Sequence, residues 1–293
     1  MLLLNHRNFK VVASAGVVNS GEAATLANDG LFQNKMKRIL DMATEMVSTT
    51  SWALLNFDSA WRVNPSGAAT DTDVIVVAPA LLKYFHIEID AANESARRKQ
   101  LSRIDRIRWV YQTISTGLTL RNCDIIIEHM SATTKARVAL EQVKRDGASP
   151  IRRNFGFTDE FGHKQWQQAI GDIELNLNYV KGEPPDTVAR TVVHEASHKF
   201  ANTKDVLYKD GSFAKLPADQ FDEARDLGII GANDQREITL PGRTKKLRPM
   251  SGWEKNTNNV ITDDRWLENA DSYAWTARRI WKKKTGFRKD QAA

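Results

Sequence analysis

Two histidines four residues apart constrain this chain more than any other feature. His194 and His198 lie in a segment whose apolar residues, Val188, Val192, Val193, Ala196 and Phe200, recur with the period of an α-helix. Gly182-Glu183-Pro184-Pro185 stops whatever precedes, and Asp186 is suited to cap the helix start. On a helix, this spacing turns both imidazoles to one face about one pitch apart, where they can bind a single metal ion. Glu195 completes a His-Glu-x-x-His pattern. Two neutral imidazoles bind Zn²⁺ without cancelling its charge, and the glutamate between them lies next to the metal-bound water as its general base. Residue frequencies give such a pattern a chance expectation on the order of 1% in a chain of this length. The alternative is an ordinary solvated helix face.

A chain of 293 residues with 41% hydrophobic residues buries a sizeable core, which excludes disorder and collagen. No window approaches the run of about 18 apolar residues that a membrane-spanning helix needs. Met1-Leu2-Leu3-Leu4 is halted by Asn5-His6-Arg7 before it forms the apolar region of a signal peptide. No Sec-type signal is therefore expected, and the cytoplasm is the default location, with non-Sec secretion as an effector left open. Cys123 is the one cysteine, so an intramolecular disulfide and a multi-cysteine zinc ribbon are both excluded. The net charge of +6 comes from the C-terminal stretch, where Arg278, Arg279, Lys282, Lys283, Lys284, Arg288 and Lys289 face Asp290 alone. Cations at the end of a last helix offset its dipole, so nucleic acid is not the expected partner. The basic cluster from Arg97 to Arg108 falls at helical spacing and reads as a solvated face.

The chain contains no internal repeat. Periodicity predicts helices over 34–47, 95–116, 132–145 and 264–283, the last with Trp266, Leu267, Ala270, Tyr273, Ala274, Ala277 and Ile280 as its buried stripe. Strands are predicted over Val74–Val77 and Cys123–Glu128, and over Asp172–Tyr179, where polar and apolar residues alternate as in a strand with one wet face. The stretch 64–71 reads as a linker, dividing an N-terminal region of unknown role (1–70) from a main domain (71–293).

A catalytic zinc needs a third protein ligand and an open position, and Asp205 follows the helix. Asn202-Thr203-Lys204-Asp205-Val206-Leu207-Tyr208 resembles the Gly-Thr-x-Asp-x-x-Tyr signature of the aspzincin metalloendopeptidases, the deuterolysin and peptidyl-lysine metalloendopeptidase group. The resemblance implies that Asp205 is the third zinc ligand and that Tyr208 stabilises the transition state. Asn202 replaces the family's glycine, and Lys209 stands where a glycine usually follows the tyrosine; Asn also tolerates the left-handed conformation that ends a helix. Asn269-Ala270-Asp271-Ser272-Tyr273 resembles the family's Asn-Ala-Asp-x-Tyr segment, which implies that Asp271 is an acidic wall of the pocket for the residue after the cut. Lysine-specific members pair that Asp with a Glu three residues later; Ala274 stands there, so a loose preference for Lys or Arg is expected. Arg153-Asn154-Phe155-Gly156 is similar to an aromatic-Gly element upstream of the metal helix in the same family.

The resemblance spans residues 153–280 and leaves 1–70 and the insertion at 209–263 unexplained. It implies an α+β, zincin-like metalloprotease fold, helix-rich with a small sheet, holding Zn²⁺ at His194, His198 and Asp205. Its substrate is a protein or peptide, lying as an added strand along 172–179. Lacking signal and cystine, the chain resembles a bacterial or toxin-like relative more than a secreted digestive enzyme. The competing readings are a nonenzymatic basic protein that binds nucleic acid or anionic lipid through 278–289, and a zinc hydrolase of a non-peptide amide.

Overall fold

The structure is a computed structural model. The residues it describes are 1–63, 72–85, 87, 89, 94–120, 123–138, 153–158, 164–167, 172–201, 203, 236–240, 243–247, 267 and 269–286. The chain opens with β1 (Leu2–His6) and β2 (Phe9–Ala13), then the short helices α1 (Ala15–Asn19) and α2 (Glu22–Asn28). Three long helices follow: α3 (Gly30–Val63), α4 (Thr72–Phe85) and α5 (Glu94–Leu120). The strands β3 (Cys123–Glu128), β4 (Ala136–Val138), β5 (Arg153–Thr158), β6 (Lys164–Gln167) and β7 (Ile173–Asn176) lead into α6 (Leu177–Gly182) and α7 (Pro185–Ala201). The hairpin strands β8 (Arg236–Leu240) and β9 (Arg243–Leu247) and the helix α8 (Ala270–Thr285) complete the described elements. This is a helix-rich α+β architecture with a small sheet, as the sequence implied.

The main sheet has the order β1-β2-β3-β7-β4, with β2, β3 and β7 parallel and both outer strands antiparallel to their neighbours. Val11, Ala13, Ile125, Ile127, Ile173 and Leu175 alternate onto its buried face. The other face carries Lys10, Asp124, Glu128, Glu174 and Arg137 and is partly wet, as one-sided antiparallel edges allow. Arg137 ties this face together through Glu128, at 3.0 Å, and Glu174. On the helical side, α7 packs against α3, α5 and α8, and α8 also packs against α3 and α4.

Several predicted elements change. Val74–Val77 belongs to helix α4, not to a strand: Val74, Val77 and Leu81 are buried and Ile75 is exposed, a helical period that a four-residue β-branched run cannot reveal. The helix predicted over 132–145 is replaced at its start by β4, whose Arg137 lies opposite Glu174 in the ladder; residues 139–145 lie outside the described set. The strand predicted over Asp172–Tyr179 stops at Asn176, where the side chain accepts from the Asn178 N–H (3.1 Å) and donates to the Ser131 (3.1 Å) and Thr134 (2.7 Å) carbonyls. Its Oδ1 thus caps α6 while its amide fixes the preceding loop. Moreover, β7 is an inner strand, and among the described residues the sheet edge beside α7 is β4. The linker read over 64–71 lies outside the described residues, and residues on both sides of it contribute to one core. A single buried cluster runs from Leu3 through Met36, Met46 and Phe57 to Val192 and Trp281. Among the described residues, no helix is long and apolar enough to cross a membrane.

One glycine allows α5 and α7 to close on each other. Gly117 is buried within α5, and a Cβ added there would fall well inside contact distance of the Phe200 ring. Gly117→Ala should gain about 1 kcal/mol of helix propensity. The resulting overpacking should cost more, so that the variant is less stable by about 1–3 kcal/mol net. Denaturant unfolding measures the difference; a stabilised variant would mean that Phe200 yields freely.

Candidate metal centre

The local sequence makes α7 a helix with two distinct sides. Val188, Ala189, Val192, Val193 and Ala196 are fully buried in the core, while Asp186, Arg190, His194 and His198 follow one another at four-residue intervals, a row that stays on one side of the helix. Asp186, predicted as a cap, lies inside the first turn of α7, which begins at Pro185. There a carboxylate complements the helix dipole.

The two imidazoles converge. Their Nε2 atoms are 3.2 Å apart, and the rings meet edge to face with centroids 4.8 Å apart. The opposite nitrogen of each ring is engaged elsewhere: His194 Nδ1 is 3.0 Å from Asp271 Oδ1, and His198 Nδ1 is 2.6 Å from the Thr203 carbonyl. A carbonyl and an ionised carboxylate can only accept, so each Nδ1 carries the hydrogen. The two Nε2 atoms therefore face each other across 3.2 Å. Two nitrogens bound to one tetrahedral zinc at about 2.0–2.1 Å stand roughly 3.3 Å apart, a separation close to the one observed.

Both supports of the rings are themselves held. Ser197 Oγ donates to the His194 carbonyl (2.7 Å) and lies 2.6 Å from Thr203 Oγ1, while the Thr203 N–H donates to the Ser197 carbonyl (3.3 Å). Thr203 is therefore pinned to the last turn of α7 by side chain and backbone together. On the other side, Tyr273 O–H donates to the Leu267 carbonyl and Tyr111 O–H to the Tyr273 carbonyl, both at 2.6 Å. Burial pushes the Tyr111 hydroxyl well above the usual tyrosine range, so it remains a donor. These bonds, with Asn269 Nδ2 donating to Ser272 Oγ at 3.0 Å, anchor the first turn of α8 and with it Asp271.

Of the residues singled out in the sequence, His194 and His198 are brought together and Glu195 sits beside them on α7, only 6% exposed. Asp271 also reaches the site: it is buried beside His194, against the nitrogen that points away from His198. Asp205 and Tyr208 lie outside the described residues, and among the described residues no three metal-type side chains form a group. The pattern search missed Arg190, whose Nη1 is 3.7 Å from Asp271 Oδ1 and whose guanidinium lies 4.4 Å over the Trp275 ring. Its position four residues before His194 was the available signal.

Three of the C-terminal cations are paired inside the molecule. Arg278 (2.6 Å) and Lys282 (2.7 Å) bind Asp186, and Lys284 binds Asp73. No protein-family model, no curated protein and no solved structure matches the chain.

Burial pushes the Asp186 carboxyl up, but hydrogen bonds and charge from Lys282 and Arg278 outweigh it and hold the group below the usual carboxylate range. A depressed pKa stabilises the fold above the unfolded value of about 3.9, and that contribution is lost as pH falls through the folded value. Asp186→Asn should therefore cost about 3 kcal/mol near neutral pH. The gap to the parent should narrow below about pH 4. Urea unfolding at both pH values checks the sign.

Proposed function

We propose that the chain is a zinc-dependent metalloendopeptidase of the aspzincin type with a zincin-like fold. The observation that carries this reading is the approach of the two Nε2 atoms to 3.2 Å, each ring held through its Nδ1. His194 and His198 would hold the metal, with Asp205 as third ligand by resemblance. Bound there, Zn²⁺ supplies Lewis acidity toward a scissile carbonyl and toward water.

The chain's own groups supply the rest. The Glu195 carboxylate takes a proton from the attacking water and passes it to the departing amine, which needs a base within hydrogen-bond reach of both. The Tyr208 hydroxyl donates to the oxyanion that develops at the former carbonyl. An extended peptide would add to the sheet at β4, the outermost strand on the α7 side, through main-chain hydrogen bonds. The nucleic-acid or lipid reading is the weaker one, because three cations of its basic stretch already neutralise Asp186 and Asp73.

Protein expressed with ample metal should contain one zinc per chain, and His198→Ala should lose it. Metal analysis decides, and a zinc-free parent would end the metalloenzyme reading. Glu195→Gln should retain zinc while turnover on a generic protein substrate falls by about 10²–10⁴. Tyr208→Phe should fall by about 10²–10³. A Glu195→Gln protein with parental turnover would show that another group moves the proton.

A further inference from the structure

We propose that Asp271 serves His194 and not the substrate: it is the positioning carboxylate that fixes which nitrogen of His194 faces the metal, and Arg190 is its counter-charge. The proposal rests on the zinc reading above and changes what that reading says about specificity. Asp271 Oδ1 accepts from His194 Nδ1 at 3.0 Å and faces Arg190 Nη1 at 3.7 Å. Both contacts are to the same oxygen, and the residue is 8% exposed. A carboxylate so buried is costly unless paired and hydrogen-bonded, and here it is both.

The pairing is built from two four-residue steps. Arg190 and His194 lie one turn apart on α7, as Asp271 and Trp275 do on α8. Arg190 reaches into the second step, with its guanidinium over Trp275 at 4.4 Å and its Nη1 toward Asp271. The stacked, planar guanidinium cannot lose its charge, so the carboxylate beside it stays an acceptor and His194 Nδ1 stays the donor. A carboxylate behind a metal-binding imidazole orients the ring and raises its basicity. The same neutralisation leaves little net charge to attract an ammonium or guanidinium group after the cut. The loose Lys/Arg preference implied by the family segment is therefore not a property of Asp271 in this chain.

Three measurements on the full chain test this. Nitrogen NMR of the metal-free parent should show a hydrogen on His194 Nδ1; an Nδ1 without a hydrogen overturns the proposal. Zinc affinity by chelator competition should fall about 10–100-fold in Asp271→Ala and be largely rescued in Asp271→Asn, whose amide oxygen still accepts from Nδ1. Parental affinity in the Ala variant overturns the assignment. Peptide-library digestion by Asp271→Asn should give the parental residue preference after the cut, and a shift away from Lys or Arg would return Asp271 to the pocket wall. The NMR and library measurements decide even where the Ala variant does not fold. The NMR result also needs no metal: a parent with the Nδ1 hydrogen that takes up no zinc would sink the peptidase reading alone, whereas a zinc-loaded parent indifferent to Asp271→Ala would sink this one alone.

Discussion

The antiparallel packing of α7 on α8 is held at both ends by buried charge. Asp186 binds Arg278 and Lys282 at the N-terminal end of α7, and Asp271 binds His194 and Arg190 nearer its C-terminal end. A slip of one helical turn, about 5.4 Å, would leave Asp186, which is 1% exposed, without its cations and His194 without its acceptor. Removing one partner of a buried pair costs far more than the pair contributes net, so these contacts specify register more than they add stability. The orientation of His194, and so the convergence of the two Nε2 atoms, depends on that register.

Other sides of α7 face α3 and α5, and its Val188, Val192, Val193 and Ala196 are buried in the apolar core, where contacts are nondirectional. Here shape sets the distance: Gly117 admits the Phe200 ring, two residues beyond His198, close to the α5 backbone. The helix is thus fixed sideways by packing and lengthwise by ion pairs. The proposed metal site would gain from this division, because ring positions would have to hold to a fraction of an ångström and elements locked by packing hold them better than loops.

The sheet contributes connection and edge. Strand β7 delivers the chain to α6 and α7 through Asn176, whose side chain makes the turn and also grips the loop between β3 and β4. That grip places β4 outside β7, leaving the outermost strand beside the helix that carries the histidines. A peptide added there would run along α7, which connects the sheet order to the proposed chemistry.

Much of this was legible in the residues alone. The histidine spacing, the apolar period of α7 and the stripe of α8 follow from helical geometry within one segment, and local periodicity reports them directly. Strand β3, helix α5 and the part of α3 over 34–47 were legible for the same reason. The fate of Val74–Val77 was not, because an apolar β-branched run fits a strand or a buried helix equally well and packing against α3 and α8 selects between them. The inner position of β7 was likewise hidden, since its alternation shows one wet face but not which strands flank it. Asp271 is the clearest case. Its segment showed a carboxylate near the start of a helix, but 77 residues separate it from His194, and only the register of α8 on α7 decided that it faces the back of an imidazole. Residue types and local period determined which groups could bind metal; the long-range pairing of Asp271 with His194 determined which nitrogen of that ring faces His198.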